Sequence, residues 1–194
     1  LGGERKYVEP AKGTVNPRVF IDRLAKKMPA NVTVVADVGQ NQIWTCTEYK
    51  FRKEGRLLTS GGMGTMGYSV PAAIGAKMAD NSRATVAICG DGAFQMSFME
   101  LATAVQFGVD IKVVVMTNNR LGMVRELQTN GYHDRQTAVF LDGSPDFIKL
   151  AEAYGIPAMR VYDDDTMEKG VEMLAEHKGI CLVEVVVDKD MPTL

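Results

Sequence analysis

Two short polar motifs, each directly after an apolar run, constrain this sequence more than any other feature. Gly90-Asp91-Gly92 follows the run at residues 84–89, and Asn118-Asn119 follows the run at residues 111–117. Both runs are rich in β-branched residues, which is typical of strands covered on both faces of a parallel sheet. The carboxyl ends of such strands open on one edge of the sheet, where ligands usually bind. The sequence therefore predicts that the two motifs lie together.

A helix is predicted between the two motifs. Residues 97–107 carry apolar residues at helical spacing, and Gly108 follows as a stop signal. Ser97 and Glu100 have the spacing of a capping box, which predicts that the helix begins there.

The motif residues suit a phosphate and a metal ion. Asp91 offers a carboxylate oxygen and Asn119 an amide oxygen, which are ligands that Mg²⁺ accepts when it also binds phosphate. Gly90 and Gly92 let the backbone approach a bulky anion, and the amino end of the following helix favours negative charge. The alternative is that Gly-Asp-Gly is only a turn and Asn-Asn only the start of a loop.

Helices and strands alternate over the rest of the chain. Further strands are predicted at residues 33–36, 57–59, 158–161 and 180–187, and helices at 17–28, 70–79, 146–154 and 166–177, with one more opening at Gly39-Gln40-Asn41. This order predicts an α/β fold, a three-layer sandwich with a mostly parallel sheet. We expect one domain over residues 15–194, preceded at residues 1–14 by a linker from a missing upstream region.

Composition excludes several classes of function. A net charge of −2 gives no sign of a nucleic-acid partner, and no apolar run approaches the length of a membrane span. No signal peptide opens the chain. The first residue is Leu1 rather than Met, which predicts a fragment or a processed protein.

The cysteines and histidines carry no metal-binding pattern. Cys46, Cys89 and Cys181 are dispersed, and we expect buried, reduced thiols in a cytoplasmic protein. His133 and His177 are far apart in the sequence, and we expect both on the surface or in loops.

Gly90-Asp91-Gly92 with Asn118-Asn119 resembles the signature of thiamine diphosphate-dependent enzymes. The similarity to one family, acetolactate synthase (acetohydroxyacid synthase) large subunits, covers the chain from about residue 16 onward. It is carried by residues 38–44, 59–68, 71–77, 121–124 and 145–155. The resemblance implies the thiamine diphosphate-binding fold and two cofactors, thiamine diphosphate and Mg²⁺.

The resemblance also implies roles for individual residues. The metal ligands would be Asp91, Asn119 and the backbone carbonyl of Leu121. The Gly64 carbonyl would bind the aminopyrimidine, and the Met66 side chain would lie between the two rings and hold them bent. The full set of implied cofactor-binding residues is Gly39, Gln40, Asn41, Gly64, Met66, Gly90, Asp91, Gly92, Ala93, Asn119, Leu121, Gly122, Met123 and Val124. For Gln40 and Asn41 an ordinary helix cap is the alternative.

Three positions depart from the family pattern. Asn41 stands where a histidine is usual, and one fewer residue separates Asn119 from Gly122. Leu127 replaces a tryptophan that is common at the substrate entrance, which implies a wider and less aromatic channel.

The implied activity is decarboxylation of pyruvate and its condensation with a second 2-oxo acid in branched-chain amino acid biosynthesis. No catalytic residue is expected in this chain, because the activating glutamate of the family comes from an N-terminal domain of a neighbouring subunit. We therefore expect the chain alone to be inactive. The resemblance implies that the full-length enzyme is a homodimer or a larger oligomer. It also allows for FAD, at a site outside this chain, and for a regulatory small subunit.

Other functions remain open at this stage. The chain could belong to another thiamine diphosphate-dependent 2-oxo acid decarboxylase, oxidase or carboligase. A noncatalytic nucleotide-binding module of Rossmann type is a further alternative, although no Gly-x-Gly-x-x-Gly opens a helix. We also expect self-association, because loops at residues 61–68 and 121–127 would expose apolar residues such as Met66 and Met123.

Overall fold

Six parallel strands form one sheet in a computed structural model that describes residues 8–193. Their order across the sheet is β2-β1-β3-β4-β6-β5. The strands are β1 (Thr33–Ala36), β2 (Arg56–Thr59), β3 (Thr85–Gly90), β4 (Lys112–Thr117), β5 (Ala158–Val161) and β6 (Cys181–Val186). The predicted α/β sandwich is confirmed, and the sheet is parallel throughout.

Eight helices connect and cover the strands within residues 8–193. They are α1 (Pro17–Lys27), α2 (Gln40–Glu48), α3 (Ser69–Ala79), α4 (Asp91–Gln95), α5 (Leu101–Gln106), α6 (Gly122–Gly131), α7 (Phe147–Ala153) and α8 (Asp164–Glu176). None of the helices described is both long and apolar enough to cross a membrane.

An apolar core lies on each face of the sheet. Phe20 of α1, Trp44 of α2 and Leu174 of α8 belong to one core, and Phe94 and Phe147 belong to the other. The central strands β3 and β4 lie between the two cores, and β4 is buried along its whole length. Burial on both faces is why these strands read as unbroken apolar runs.

Helix α1 begins where its sequence predicts. The Asn16 side chain accepts a hydrogen bond from the Arg18 N–H at 2.9 Å, and Pro17 occupies the first helical position. Proline suits that position because its missing N–H would have no partner inside the helix.

The single helix predicted at residues 97–107 is confirmed over Leu101–Gln106, but its α-helical part does not begin at Ser97. Helix α4 already begins at Asp91, a short 3-10 turn covers Phe98–Glu100, and α5 follows. The predicted capping box does not form, since the Ser97 hydroxyl is buried with no hydrogen-bond partner among the described residues. The Glu100 carboxylate instead accepts a bond from the Thr103 hydroxyl at 2.9 Å. The extended backbone of Gly90 starts the helix directly after β3, so the later signal is not used.

Two further expectations need correction. The segment at residues 121–127 is not a loop, because Gly122 opens α6, which continues to Gly131. Cys46 is exposed, whereas Cys89 and Cys181 are buried as expected, and all three are free thiols. Burial raises the pKa of the Cys181 thiol to about 11.

The predicted linker lies partly outside the described residues, because residues 1–7 are not described. Residues 8–14 follow the surface, where the Val8 carbonyl accepts a bond from the Asn16 side chain at 2.9 Å. His133 is exposed in a turn, and His177 is half-buried just after α8.

Candidate functional site

One pocket lies at the carboxyl edge of the sheet, where the segments after β1, β3 and β4 meet. Most of the predicted cofactor-binding residues line it, and the exceptions are Gly64 and Asn119. The lining residues that were predicted are Gly39, Gln40, Asn41, Met66, Gly90, Asp91, Gly92, Ala93, Leu121, Gly122, Met123 and Val124. The structure therefore brings together four segments that are far apart in the sequence, at residues 39–41, 66, 90–93 and 121–124.

Three helices begin at this pocket. The first residues of α2, α4 and α6 all belong to its lining. The first N–H groups of a helix have no partner inside that helix, and the positive end of the helix dipole lies there. Three such ends around one cavity create a region that favours a bound anion.

Asp91 is the one carboxylate among the lining residues described, and it is only 1% exposed. One oxygen accepts a bond from the Gly92 N–H at 2.8 Å. The other accepts bonds from the Asn118 N–H at 3.2 Å and the Asn119 N–H at 2.7 Å. Within residues 8–193 it forms no ion pair, and burial raises its pKa to about 6 despite these hydrogen bonds. A buried carboxylate without a cation suits a metal ion.

The backbone conformation of Asn119 and the side-chain hydrogen bonds of Asn118 fix the Asn118-Asn119 motif. Asn119 has φ 54°, a left-handed conformation that asparagine tolerates better than most residues, and this residue is exposed. The Asn118 side chain accepts a bond from the Arg120 N–H at 3.1 Å and donates one to Gln40 at 3.1 Å. Asp91 therefore holds the backbone of the motif, while Asn118 closes the turn after it.

Leu121 and Gly122 bring α6 close to the pocket. Leu121 caps α6, and its carbonyl accepts a bond from the Arg125 N–H at 2.9 Å. A Cβ atom added to Gly92 would lie 2.8 Å from the Leu121 side chain, and one added to Gly122 would collide with the Gln40 amide oxygen. Glycine at both positions therefore lets the Leu121 and Gln40 side chains pack close to the backbone at the pocket.

Gln40 and Asn41 have already used their N–H groups within the protein. The Asn41 amide donates to the carbonyls of Asp37 and Ile88 at 2.8 and 3.2 Å. The Gln40 amide nitrogen is within 3.1 Å of acceptors on Glu126 and on the C-terminal residues 191 and 193. An Asn side chain has two N–H donors, so Asn41 presents its oxygen rather than a donor to the pocket.

A second buried carboxylate, Asp37, fixes the loop at residues 61–68, which contains four glycines and is called the glycine-rich loop below. It is fully buried, and its oxygens accept bonds from the N–H groups of Val38, Gly67 and Ser69 at 2.9, 3.0 and 2.8 Å. The loop thereby carries Met66 to the pocket, while Gly64 lies exposed with φ 64°. The sequence marked Asp37 only as the end of a strand, because its partners are about thirty residues away.

Six further lining residues were not among the predicted cofactor-binding residues, although Asn118 belongs to the Asn118-Asn119 motif. They are Val38, Trp44, Met116, Asn118, Arg120 and Val187. The Trp44 indole donates a bond to the Pro192 carbonyl at 3.1 Å, and the Thr193 N–H donates one to Glu126 at 3.0 Å. The C-terminal segment thus covers one side of the pocket, a contact that only the folded chain reveals.

The site as described is an anion-binding pocket with one buried carboxylate. No cluster of three or more His, Cys, Asp or Glu side chains suited to a metal occurs within residues 8–193. A metal here would therefore combine Asp91 with neutral oxygen atoms and with oxygens of the anion itself, which is how Mg²⁺ commonly binds beside phosphates. These features define an α/β domain whose pocket, at the carboxyl edge of the sheet, suits a phosphorylated cofactor.

Comparison with known proteins identifies the family. Residues 37–185 match the family model described as "Thiamine pyrophosphate enzyme, C-terminal TPP binding domain". The chain belongs to this family.

Curated relatives agree with that assignment. The chain is 39% identical to "Acetolactate synthase catalytic subunit, mitochondrial" of Aspergillus candidus over 94% of its own length and 26% of that protein. It is 38% identical to "Acetolactate synthase large subunit" of Lactococcus lactis, over 93% of the chain and 31% of that protein. It is 34% identical to "Acetolactate synthase isozyme 2 large subunit" of Escherichia coli, over 95% of the chain and 33% of that protein. The chain spans about a quarter to a third of the length of these relatives.

Proposed function

We propose that this chain binds thiamine diphosphate together with Mg²⁺, as the cofactor-binding part of an acetolactate synthase. That enzyme would decarboxylate pyruvate and condense it with a second 2-oxo acid in branched-chain amino acid biosynthesis. One observation carries the proposal: the buried carboxylate of Asp91, without a cationic partner in the described chain, lies where three helices begin. The names of the curated relatives support the particular reaction.

Asp91 and Asn119 would hold the metal. The Asp91 carboxylate accepts a bond from the Asn119 backbone N–H at 2.7 Å, so the two proposed ligands are neighbours at the edge of the pocket. The Leu121 carbonyl is the third proposed ligand. It accepts one hydrogen bond from Arg125, and a carbonyl oxygen has a second lone pair available.

When bound, thiamine diphosphate would supply an electron sink for the carbon that loses carbon dioxide. The residues of this chain would bind and orient it. Gly92 and Ala93 lie at the start of α4, where their N–H groups would face phosphate oxygens. Met66, whose terminal methyl lies close to Gly92, would provide an apolar contact for the rings, with the Gly64 carbonyl as a hydrogen-bond acceptor.

The complete activity would belong to a longer protein. The relatives are three to four times as long as their matched part, and the family resemblance assigns the activating glutamate to a different domain. We expect this chain alone, saturated with cofactor and metal, to form no acetolactate from pyruvate. Robust production of acetolactate by the purified chain would contradict the proposal that a further domain supplies the activating glutamate.

Self-association is a further part of the proposal. In the two segments at residues 61–68 and 121–127, the exposed large apolar residues are Met63, Val124 and Leu127, with 91, 45 and 61% of their surface accessible. Met66 and Met123, named from the sequence, are instead half-buried. A patch of this kind favours contact between subunits. Sedimentation velocity at rising concentration should show a dimer or larger species, and a strict monomer would argue against it.

The location and the accessory components are also part of the proposal. The free cysteines support a cytoplasmic location, and the family resemblance supports a regulatory small subunit. The relatives from Aspergillus candidus and Saccharomyces cerevisiae carry the word "mitochondrial" in their names. Fractionation of the source cells, with detection of the native protein, would decide between the two compartments.

Calorimetric titration of thiamine diphosphate tests the proposed function. Binding should require Mg²⁺ and should be lost when the metal is chelated. Asp91→Ala should weaken metal-dependent binding by about 1–3 kcal/mol, because it removes a charged ligand. Asn119→Ala should have a smaller effect, because its oxygen is neutral. Each variant is first checked for native circular dichroism, and metal-independent binding or unchanged affinity in Asp91→Ala would refute the assignment.

A further inference from the structure

Arg120 is the one cationic side chain among the residues that line the pocket in the described chain. We propose that Arg120 binds the diphosphate end of the cofactor directly and supplies positive charge that the metal alone does not provide. This inference rests on the proposed function, because it concerns the same pocket and the same ligand. It adds to that function a specific anion-binding residue, in the segment that is one residue shorter than the family pattern.

The guanidinium of Arg120 is held in a fixed position. One of its terminal nitrogens donates to the Asn119 carbonyl at 2.7 Å and to the Asp142 carboxylate at 2.8 Å. Its central carbon lies 4.7 Å from the centre of the Phe140 ring, a distance typical of cation–π contact. The side chain is only 15% exposed, whereas that of Asp142 is 73% exposed.

Backbone pairing fixes the same segment. Arg120 and Phe140 form an isolated antiparallel bridge, with the Leu121 N–H bound to the Val139 carbonyl at 2.9 Å and the Leu141 N–H bound to the Asn119 carbonyl at 3.0 Å. The residue next to the proposed metal ligand Asn119 is therefore supported from both its backbone and its side chain. A side chain held in this way loses little further entropy when it binds a ligand.

Part of the guanidinium is still available. Within residues 8–193 the Nε and the second terminal nitrogen of Arg120 have no hydrogen-bond partner, while the residue lines the pocket. Arginine can present two parallel N–H groups to a phosphate, and such charge-assisted bonds are stronger than neutral ones. The unused donors and the planar shape suit a phosphate oxygen pair.

The pocket needs such a donor. A diphosphate carries several negative charges, and Asp91 adds another, so a single divalent metal leaves net negative charge in the pocket. The side chains of Gln40 and Asn41 cannot offset it, because their N–H groups are bound to other protein acceptors. Asn41 moreover directs its oxygen toward Gly90. Arg120 supplies the missing charge from the opposite segment.

The test compares two ligands on matched variants by calorimetry. Thiamine diphosphate and inorganic diphosphate are each titrated with Mg²⁺ into the wild-type protein and into Arg120→Gln, Arg120→Lys and Arg56→Gln. The last variant is the control, since it removes one exposed positive charge from the amino end of β2, on the opposite edge of the sheet. Thermal unfolding verifies that all variants remain folded.

We expect Arg120→Gln to weaken both ligands about tenfold, a loss equivalent to about 1.4 kcal/mol. Arg120→Lys should lose less, and Arg56→Gln should bind as the wild type does. The affinity of Arg120→Gln should also depend less steeply on salt concentration, because one charge contact is gone.

Asp142→Asn separates ligand binding from a purely structural role. If Arg120 only anchors the segment to Asp142, this variant should weaken binding as much as Arg120→Gln does. The proposal expects Asp142→Asn to bind more tightly than Arg120→Gln, because the Phe140 ring and the Asn119 carbonyl still hold the guanidinium and a negative charge near the anion has been removed. Two results would refute the inference. One is wild-type affinity in Arg120→Gln, and the other is a loss of affinity in Asp142→Asn that equals the loss in Arg120→Gln. A wild-type protein that binds neither ligand would refute the proposed function as well.

Discussion

Asp37 and Asp91 are chemically alike and functionally different. Each is a buried aspartate that directly follows an interior strand of the sheet, β1 or β3, and the carboxylate of each accepts three backbone N–H bonds. Asp91 lines the pocket, whereas Asp37 is absent from the described lining and faces the glycine-rich loop instead. The comparison teaches that burial and hydrogen bonding alone do not mark a ligand, and that access to a cavity decides which carboxylate can meet a metal.

The largest effect is expected from Asp37→Ala. Three N–H groups would lose the carboxylate that accepts their bonds, and that of Ser69 is buried, at about 1–3 kcal/mol for each group left unsatisfied. We expect a loss of about 3–5 kcal/mol in the free energy of unfolding, measured with urea. Asp91→Ala should cost less than half as much, because the pocket admits water that can bind the released N–H groups. Equal losses in the two variants would remove the distinction between the two carboxylates.

The metal-free protein should show a pH dependence that comes from Asp91. Its pKa is raised to about 6, so between about pH 4 and pH 6 the folded state binds more protons than the unfolded chain. The free energy of unfolding should therefore fall as the pH rises through this range, by about 3 kcal/mol from a shift of about two pKa units. Urea titrations at several pH values measure how the free energy of unfolding changes with pH. If the Asp91→Ala variant shows the same change with pH, groups other than Asp91 cause it.

A smaller effect is expected from Gly122→Ala. The added methyl would meet the Gln40 amide oxygen, and overpacking of this kind costs about 1–3 kcal/mol. Gly75→Ala is the matched control, because Gly75 lies exposed in α3 with no atom near its would-be methyl. Alanine there should stabilise the helix by about 0.5–1 kcal/mol. Unfolding curves for the two variants should move in opposite directions, and a stabilised Gly122→Ala would contradict the close contact.

The contrast between the two aspartates also marks what the sequence could predict. Gly90-Asp91-Gly92 was recognisable because glycines flank a carboxylate at the end of an apolar run, which is a local pattern. The contacts of Asp37 with Gly67 and Ser69 were not predictable, since they join segments that are distant in the sequence. The position of Arg120 over Phe140 depends on a bridge between segments in the same way.

Secondary structure was likewise predictable where a local pattern determines it. Strands β3 and β4 were predicted because burial on both faces leaves an uninterrupted apolar run. The Ser97–Glu100 signal was misleading, because a helix start at Asp91 is fixed by the end of β3 rather than by a cap further along. The helix α6 was missed because its first turn, at Gly122, begins with glycine and carries no capping side chain.

A carboxyl-carbon NMR titration of protein labelled at its aspartates tests directly whether Asp91, and not Asp37, binds the metal. The variants Asp91→Ala and Asp37→Ala assign the two signals. In the metal-free protein the Asp91 signal should titrate with a pKa of about 6. After addition of Mg²⁺ and thiamine diphosphate, this pKa should fall well below its ordinary value, because a dication favours the charged carboxylate. The Asp37 signal should keep its metal-free behaviour. An Asp91 titration that the metal and cofactor leave unchanged would show that Asp91 is not the metal-binding carboxylate.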